Sequence, residues 1–218
     1  MLTPFYRDDL VRLYCGKCES ILPQLEVRAD LCLTDPPYGV EKADWDNYLP
    51  LDWYWLVRQK TDRVLLCVGN SNIPLVAKAL PDYCQLVILR NKNGMQSTKY
   101  SFDNFIPCFQ LGAWEYRQVQ NVIDFSIRGE MPSHPSPKPI EAMRKLVETF
   151  SDAGELIIDP FAGSGTTLVA AKLLGRPSIG IEMNEKYCQM IVDRLNKPIP
   201  LFEREAEQTE LPLAATGI

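Results

Sequence analysis

The residues with the clearest chemistry form the run Asp35-Pro36-Pro37-Tyr38, which ends an apolar stretch over 29–33. Proline has no N–H, so the backbone carbonyls of Asp35 and Pro36, together with the Asp35 carboxylate, form a corner that only accepts hydrogen bonds. Such a corner suits an amino group on an aromatic ring, because a carboxylate and a carbonyl each accept one N–H while Tyr38 stacks on the ring. Drawing both hydrogens toward acceptors frees the nitrogen lone pair to attack an electrophile held in line. The alternative is a Pro-Pro turn that only ends a strand.

A glycine-containing turn, DPFAGSGTT over 159–167, follows a predicted strand and opens a predicted helix. Gly163 and Gly165 let the backbone turn sharply and approach a ligand closely, and Thr166 or Thr167 is expected to cap the helix. The turn lacks the Lys-Ser/Thr ending of a phosphate loop and the full dinucleotide fingerprint, which disfavours ATP and GTP. It predicts a small-molecule site, although an ordinary tight strand-to-helix connection would use the same glycines.

A carboxylate, Glu182, ends the next predicted strand, about twenty residues beyond the glycine turn. At that position a carboxylate can accept hydrogen bonds from both hydroxyls of a ribose. The turn and Glu182 together therefore predict a nucleoside ligand without a polyphosphate.

Short runs of β type alternate with helical patterns along the chain, and these elements must position the two corners. Strands are expected at 11–15, 29–34, 63–68, 84–90, 105–111, 155–158 and 178–182. Helices are expected at 19–24, 49–58, 73–80, 139–150, 166–174 and 184–195. Strands separated by helices of this length pair in parallel through crossover connections, which predicts an open α/β sheet. Ligands of such sheets bind beyond the carboxyl ends of the strands.

Length and composition fit one globular domain. The chain has 218 residues, 46% of them apolar, which is enough for a sizeable core. We expect a domain over 1–196 and a flexible tail over 197–218, which is rich in proline and acids. No apolar run is long enough to cross a bilayer, and the first ten residues lack a secretory pattern, so a cytoplasmic protein is expected.

Cysteine usage and charge set limits on ligands and partners. The seven cysteines are an odd number and several lie in apolar runs, which disfavours disulfides. Cys15 and Cys18 have the spacing of zinc ligands, but no second pair follows, so no metal is expected. The net charge of −5 predicts no general attraction to a polyanion, so any nucleic acid must be bound by a local basic patch.

Four motifs together resemble a known family: TDPPYG at 34–39, HPSPKP at 134–139, DPFAGSGTT at 159–167 and GIEMNEKY at 180–187. The chain is similar, from about residue 10 to 196, to DNA amino-methyltransferases that use S-adenosylmethionine. The order of its motifs is that of the permuted (beta) group, in which the catalytic tetrapeptide precedes the cofactor turn. The resemblance implies a Rossmann-like, mostly parallel sheet with helices on both faces and one reversed strand. It also implies transfer of a methyl group to an exocyclic base amine, on a base swung out of the DNA helix.

The resemblance assigns roles to individual residues. The catalytic residues that it implies are Asp35, Pro36, Pro37 and Tyr38. The cofactor-binding residues that it implies are Gly16, Cys18, Asp35, Lys138, Asp159, Phe161, Gly163, Gly165, Thr166, Thr167, Glu182 and Asn184. Within that set, Thr166, Thr167 and Lys138 are expected at the methionine end. Asp at position 35 favours N6 of adenine over N4 of cytosine, since cytosine members often have serine there.

The sequence departs from the family pattern in two places. Family members commonly have Gly-Asp near the amino terminus, whereas Gly16 is followed here by Lys17, so backbone groups near Cys18 would have to contact the cofactor adenine. The role of the single histidine, His134, stays open. Only about twenty residues, 115–133, lie where a target-recognition region would be inserted. Recognition is therefore expected to be short, loose, or shared within a homodimer or with a separate specificity subunit.

Two further segments are candidates for DNA contact. The basic, glycine-containing stretch over 90–99 can track phosphates or be a solvated loop. The aromatic stretch over 45–55 offers side chains that stack near a displaced base, although Trp53, Tyr54 and Trp55 are expected mostly to pack on the sheet.

Other activities of the same fold compete with this interpretation. A carbon-5 cytosine methyltransferase needs a nucleophilic cysteine, for which Cys108 is the candidate, but it would leave the acceptor corner without a purpose. Methylation of RNA or of a protein glutamine uses similar chemistry, and the glutamine enzymes place an Asn motif after the cofactor turn. A catalytically silent subunit or DNA-binding module remains a further alternative. The target sequence and any partner nuclease of a restriction-modification system are not disclosed by the sequence.

Overall fold

The computed structural model describes residues 2–37, 52–80, 82–92, 105–114, 121–126 and 138–197. These residues form one sheet of nine strands in the order β1-β2-β9-β8-β3-β4-β6-β5-β7. The strands are β1 (Tyr6–Arg7), β2 (Val11–Cys15), β3 (Leu31–Thr34), β4 (Arg63–Cys67), β5 (Tyr83–Asn91), β6 (Phe105–Gly112), β7 (Val122–Phe125), β8 (Ile157–Asp159) and β9 (Ser178–Glu182).

Most neighbouring strands of the sheet run in parallel. Strands β2, β9, β8, β3 and β4 are mutually parallel, and β7 is parallel to β5. Strand β6 is antiparallel to both β4 and β5 and is the reversed strand inside the sheet. The two-residue β1 at the edge is also antiparallel to its neighbour. The predicted fold class, a mostly parallel open α/β sheet in a single domain, is confirmed.

Helices pack on both faces of the sheet. They are α1 (Cys18–Ile21), α2 (Asp52–Arg58), α3 (Ile73–Ala79), α4 (Ile140–Phe150), α5 (Thr166–Leu173) and α6 (Glu185–Asn196), with 3₁₀ turns at Leu22–Gln24 and Asn70–Asn72. Buried residues of α1, α2 and α3 share one apolar cluster, and those of α4 and α5 share the cluster on the opposite face. Helix α6 packs with α5 over β2. Among the described residues, no helix is long and apolar enough to cross a membrane.

Strand β4 shows how one sequence serves both faces. Val64 and Leu66 belong to the cluster under α2, whereas Leu65 and Cys67 belong to the cluster under α4. All four are fully buried. Side chains alternate between the faces of a strand, so a strand covered on both sides is a continuous apolar run. This is why the central strands could be predicted from their apolar runs in the sequence.

The strands that sequence reasoning missed are both at the edges of the sheet. Strand β1 has two residues, and β7 has four residues with an exposed or half-buried start. Short edge strands bury too few side chains to leave a clear apolar pattern. Strand β7 lies within 115–133, the short segment where a target-recognition region would be inserted, so part of that segment belongs to the sheet. Tyr38 and His134 lie outside the described residues, as do 45–51 and 93–99.

Candidate active site

Three parallel strands bring the predicted site residues to one edge of the sheet. Strands β3, β8 and β9 are neighbours, with Cys32 opposite Ile158 and Asp159 opposite Gly180. Because they run in the same direction, their carboxyl ends meet at the same edge. Asp35 follows β3, while Asp159 and Glu182 end the other two strands, so three carboxylates gather there.

A cavity opens at this edge between the two predicted corners. Its volume of about 150 Å³ is far more than the roughly 15 Å³ that a single water needs. The acceptor corner and the glycine turn both line it. The lining residues are Asp35, Pro36, Pro37, Lys138, Met143, Asp159, Phe161, Ala162, Gly163, Ser164, Thr166, Thr167, Glu182, Met183, Asn184 and Tyr187.

Glu182 is held by backbone N–H groups from two sides. Gly163 N donates to Oε2 at 2.9 Å, and Asn184 N donates to Oε1 at 2.8 Å. The side chain is nearly buried, and this desolvation raises the pKa of Glu182 to about 7, against the lowering effect of the two backbone donors. Each carboxylate oxygen keeps a further lone pair for a ligand hydroxyl. The acid is thus fixed in place and open to the cavity.

Asp159 ties two strand ends together. Its Oδ1 accepts from Thr34 Oγ1 at 2.8 Å, at the end of β3, and from Phe161 N at 3.1 Å, within the turn. The carboxyl is buried, and desolvation raises the pKa of Asp159 to about 6. Asp159 therefore fixes the start of the glycine turn against the strand that carries Asp35.

Lys138 contacts the predicted catalytic carboxylate directly. Its Nζ donates to Asp35 Oδ2, and the two side chains are only 12% and 18% exposed. The resemblance had assigned Lys138 to the methionine end of the cofactor. In the structure the ammonium pairs with the Asp35 carboxylate and Lys138 lines the cavity, and its role toward the cofactor stays a prediction.

The glycine turn has the backbone conformation that its glycines predict. Gly163 and Gly165 have φ values of +52° and +76°, in the left-handed region. A Cβ on Gly165 would lie 2.8 Å from the Ile191 side chain, so α6 packs directly on the turn. The expected threonine cap is wrong, because Gly165 occupies the N-cap and Thr166 is the first residue inside α5.

Two predicted cofactor residues near the amino terminus do not line the cavity. Gly16 N donates to the Glu182 carbonyl at 2.9 Å, so the Gly16 backbone lies beside β9. The Cys18 side chain is buried in the core, where desolvation raises the pKa of its thiol to about 12. Gly16 has no side chain and the Cys18 side chain is buried, so these two residues could contact a ligand only through backbone groups.

Several lining residues were missed by sequence reasoning. These are Met143, Ala162, Ser164, Met183 and Tyr187. Thr34 and Arg194, which were also missed, donate hydrogen bonds to Asp159 and to the Ser164 carbonyl of the turn. Ala162 and Ser164 lie within the predicted turn, so their position in that turn could have indicated them. Met143 comes from α4, far along the chain, and no local pattern indicates it.

Trp53 and Tyr54 of the aromatic segment, and the candidate nucleophile Cys108, pack in the interior of the protein. Trp53 and Tyr54 are fully buried, as predicted, and Trp53 packs edge-on against Phe161 with ring centroids 5.3 Å apart, whereas Trp55 is 55% exposed. Cys108 is buried in β6 with its Sγ 2.9 Å from Cys67 Sγ, and it does not line the cavity. Among the described residues, no group of three or more His, Cys, Asp or Glu side chains is arranged to hold a metal.

The fold and the site define a class, namely Rossmann-like α/β proteins whose cavity at the strand ends suits a nucleoside. Residues 90–193 match the sequence profile of the N6/N4 DNA methylases. The chain is 42% identical to the type II methyltransferase M2.LlaDCHI of Lactococcus lactis subsp. cremoris over 90% of its own length and 93% of the relative. The chain therefore belongs to the N6/N4 DNA methyltransferase family. S-adenosylmethionine is the cofactor of this family, and the prediction of that cofactor is confirmed.

Solved structures share the fold. The chain resembles M1.HpyAVI, solved with S-adenosylmethionine, at a TM-score of 0.70 and 21% identity, over 85% of this chain and 100% of that one. It resembles the PvuII cytosine-N4-specific DNA methyltransferase at a TM-score of 0.69 and 17% identity, over 90% of each chain. At these identities the likeness shows the architecture alone.

Proposed function

We propose that this protein transfers a methyl group from S-adenosylmethionine to the exocyclic N6 amine of adenine in DNA. The observation that carries the proposal is that Asp35, Gly163 and Glu182, which are far apart along the chain, line one cavity. The groups proposed to accept hydrogen bonds from the amine and those proposed to bind the nucleoside cofactor thus lie in the same cavity. No covalent intermediate with the protein is needed, since the amine attacks the methyl group directly.

The lining residues fit the cofactor chemically. Glu182 offers carboxylate oxygens to the ribose hydroxyls, and the tight backbone over Gly163–Gly165 lets a ligand approach closely. Asn184, next to Glu182, also lines this side of the cavity. The bound cofactor supplies an electrophilic methyl group on a sulfonium, and the homocysteine thioether is the leaving group.

The target amine is placed by the acceptor corner. Asp35 and the Pro36 carbonyl accept its two hydrogens, and Tyr38 stacks on the flipped base. Lys138 occupies Oδ2 of Asp35 in the structure, so the amine hydrogen must share that oxygen or use Oδ1. After methyl transfer the nitrogen carries one proton too many, and Asp35 is the nearest carboxylate of the corner to accept it.

The choice of adenine rests on Asp35. Family members specific for cytosine often have serine at this position, and a carboxylate accepts more strongly than a hydroxyl. Methylation of cytosine N4 is the second candidate, because the PvuII cytosine-N4-specific enzyme has the same architecture. The two targets present the same amino group to the corner and differ in the ring behind it.

Target recognition is proposed to be short, or to be shared within a homodimer or with a specificity subunit. Part of the segment 115–133 is strand β7, which reduces the length left for a recognition loop. Phosphate contacts would then dominate affinity and base contacts would be few.

Incubation with labelled S-adenosylmethionine and unmethylated DNA, followed by digestion to nucleosides, tests the proposal. N6-methyladenine identified by mass is the expected product. N4-methylcytosine would overturn the choice of base but keep the reaction. The absence of any methylated base, with the cofactor bound, would favour a catalytically silent subunit.

A further inference from the structure

A half-buried arginine that does not line the cavity supports the glycine turn. Arg194, near the end of α6, donates through Nη1 to the Ser164 carbonyl and, at 3.2 Å, to Thr166 Oγ1. Desolvation lowers the pKa of this guanidinium. Among the described residues it forms no ion pair with a carboxylate, and its hydrogen-bond partners are the Ser164 carbonyl and the Thr166 hydroxyl.

The hydroxyls next to Arg194 form a chain toward the cavity. Ser164 Oγ and Thr166 Oγ1 are 3.0 Å apart, both side chains are at most 5% exposed, and both residues line the cavity. A guanidinium only donates, so Thr166 Oγ1 must act as an acceptor toward Arg194. Its own proton is then available to Ser164 Oγ, and the Ser164 proton is left for a group in the cavity. Each bond of such a chain strengthens the next.

We infer that Arg194 is a positioning residue that directs the Ser164 hydroxyl, through Thr166, toward the carboxylate of the bound cofactor. Arg194 itself does not touch the cofactor. Its role is to fix the direction of the donors and to place a positive charge behind an anionic group. The inference rests on the proposed function, because it requires a cofactor with an amino-acid end.

Two ligands separate this role from general support of the fold. S-adenosylhomocysteine has the amino-acid end, whereas 5′-methylthioadenosine has the same adenosine and sulfur without it. Titration calorimetry of both ligands with Arg194→Met should show about a tenfold loss of affinity for S-adenosylhomocysteine, as expected for one hydrogen bond to a charged group. The affinity for 5′-methylthioadenosine should change less than twofold.

Other variants keep the test independent of stability. Ser164→Ala removes the last hydroxyl without disturbing the arginine and should give the same selective loss, and the double variant should lose little more. Arg194→Lys retains the charge and should recover part of the affinity. The matched control is Arg176→Met, because Arg176 is an arginine that is even more buried than Arg194 but donates to Ser151, away from the cavity. This control should lower the melting temperature and leave the ratio of the two affinities unchanged.

Equal losses for both ligands in Arg194→Met, or no loss for either in Ser164→Ala, would overturn the inference alone. Failure of the unaltered protein to bind S-adenosylhomocysteine would instead overturn the proposed function together with the inference.

Discussion

The side chain of Asp35 is engaged before any substrate arrives. Both members of its ion pair with Lys138 line the cavity, and both side chains are mostly buried. The ion pair offsets the cost of a mostly buried carboxylate, since an unpaired charge at this position would be costly. In the proposed reaction, Lys138 thus keeps Asp35 charged at the place where the neutral amine would bind.

Replacement of Asp35 by alanine should abolish methyl transfer, with at least a hundredfold loss of kcat/KM, because the main acceptor of the amine is removed. Affinity for S-adenosylhomocysteine should stay within a few fold, since the ribose site at Glu182 is untouched. Single-turnover assays and calorimetry measure the two effects. Retained activity would refute the role of Asp35.

The raised pKa of Glu182, about 7, predicts a pH-dependent cofactor affinity. The deprotonated carboxylate accepts both ribose hydroxyls, so affinity for S-adenosylhomocysteine should rise from about pH 6 to about pH 8 and then level off. Glu182→Gln should bind roughly tenfold more weakly at the upper pH and lose this dependence. Calorimetry across the pH range measures it, and an unchanged slope in the variant would assign the effect to another group.

The same group acts on stability with the opposite sign in the absence of ligand. Its folded pKa is raised above the usual 4.5, so the stability that it contributes is fully present below that value and is lost as pH rises through about 7. Asp159 contributes in the same direction over a range that ends near 6. The site thus retains two buried acids at neutral pH at some cost to stability.

At the scale of elements, the contact between α6 and the glycine turn fixes the cavity wall. Helix α6 presents Ile191 to Gly165 and Arg194 to the residues on either side of that glycine. The turn therefore has no room for a larger residue at position 165. Its shape depends on a helix that starts about twenty residues later in the chain.

Gly165→Ala should destabilise the protein by about 2–4 kcal/mol, as the sum of left-handed backbone strain and overpacking against Ile191. The matched control is Gly154→Ala, because Gly154 also has a left-handed φ of +84° but nothing within 4 Å of the added Cβ. It should cost only about 1 kcal/mol. Urea unfolding measures both. Equal costs would mean that the contact with Ile191 adjusts freely.

The elements themselves were largely predictable, and the exceptions share one cause. Strand β4 and helix α4 have the apolar patterns of buried elements and were placed within one residue of their observed bounds. Strands β1 and β7 have no such pattern, because they pair with only one neighbour at the edge of the sheet. These two strands form through backbone hydrogen bonds to the neighbouring strands, β2 and β5.

At the scale of the whole molecule, a net charge of −5 must be reconciled with a DNA substrate. The carboxyl ends of β5 and β7 lie at the same edge as the cavity, since both strands run parallel to β3. There Arg90 forms two hydrogen bonds with Asp124, at 2.7 and 3.0 Å, and Lys92 lies 3.6 Å from the same carboxylate. One acid thus partly neutralises two cations on the side that DNA would approach.

Asp124→Asn should strengthen DNA binding a few fold at low salt, because two cations become available to phosphates, and the gain should shrink as salt rises. The matched control is Asp62→Asn, which removes the same charge beside Arg28 and Arg58. Asp62 immediately precedes β4, so it lies at the amino end of that strand, away from the cavity. This control should leave DNA affinity unchanged. Fluorescence anisotropy at several salt concentrations measures both variants, and equal effects would show a general charge effect instead of a local one.

The sequence by itself determined the chemical groups and the order of the elements. The acceptor corner, the glycine turn and Glu182 could be identified because each is a local pattern whose residues lie within a few positions of one another. The fold class followed from strands that alternate with helices, since buried elements leave a periodic apolar signal.

Only the tertiary structure decided which of these groups meet. Lys138 reaches Asp35 across 103 residues, and Arg194 reaches Thr166 across 28. Contacts between residues so far apart are set by the packing of helices on the sheet and leave no mark in the local sequence. The partners of the acceptor corner and of the turn therefore became visible only when the strands were placed side by side.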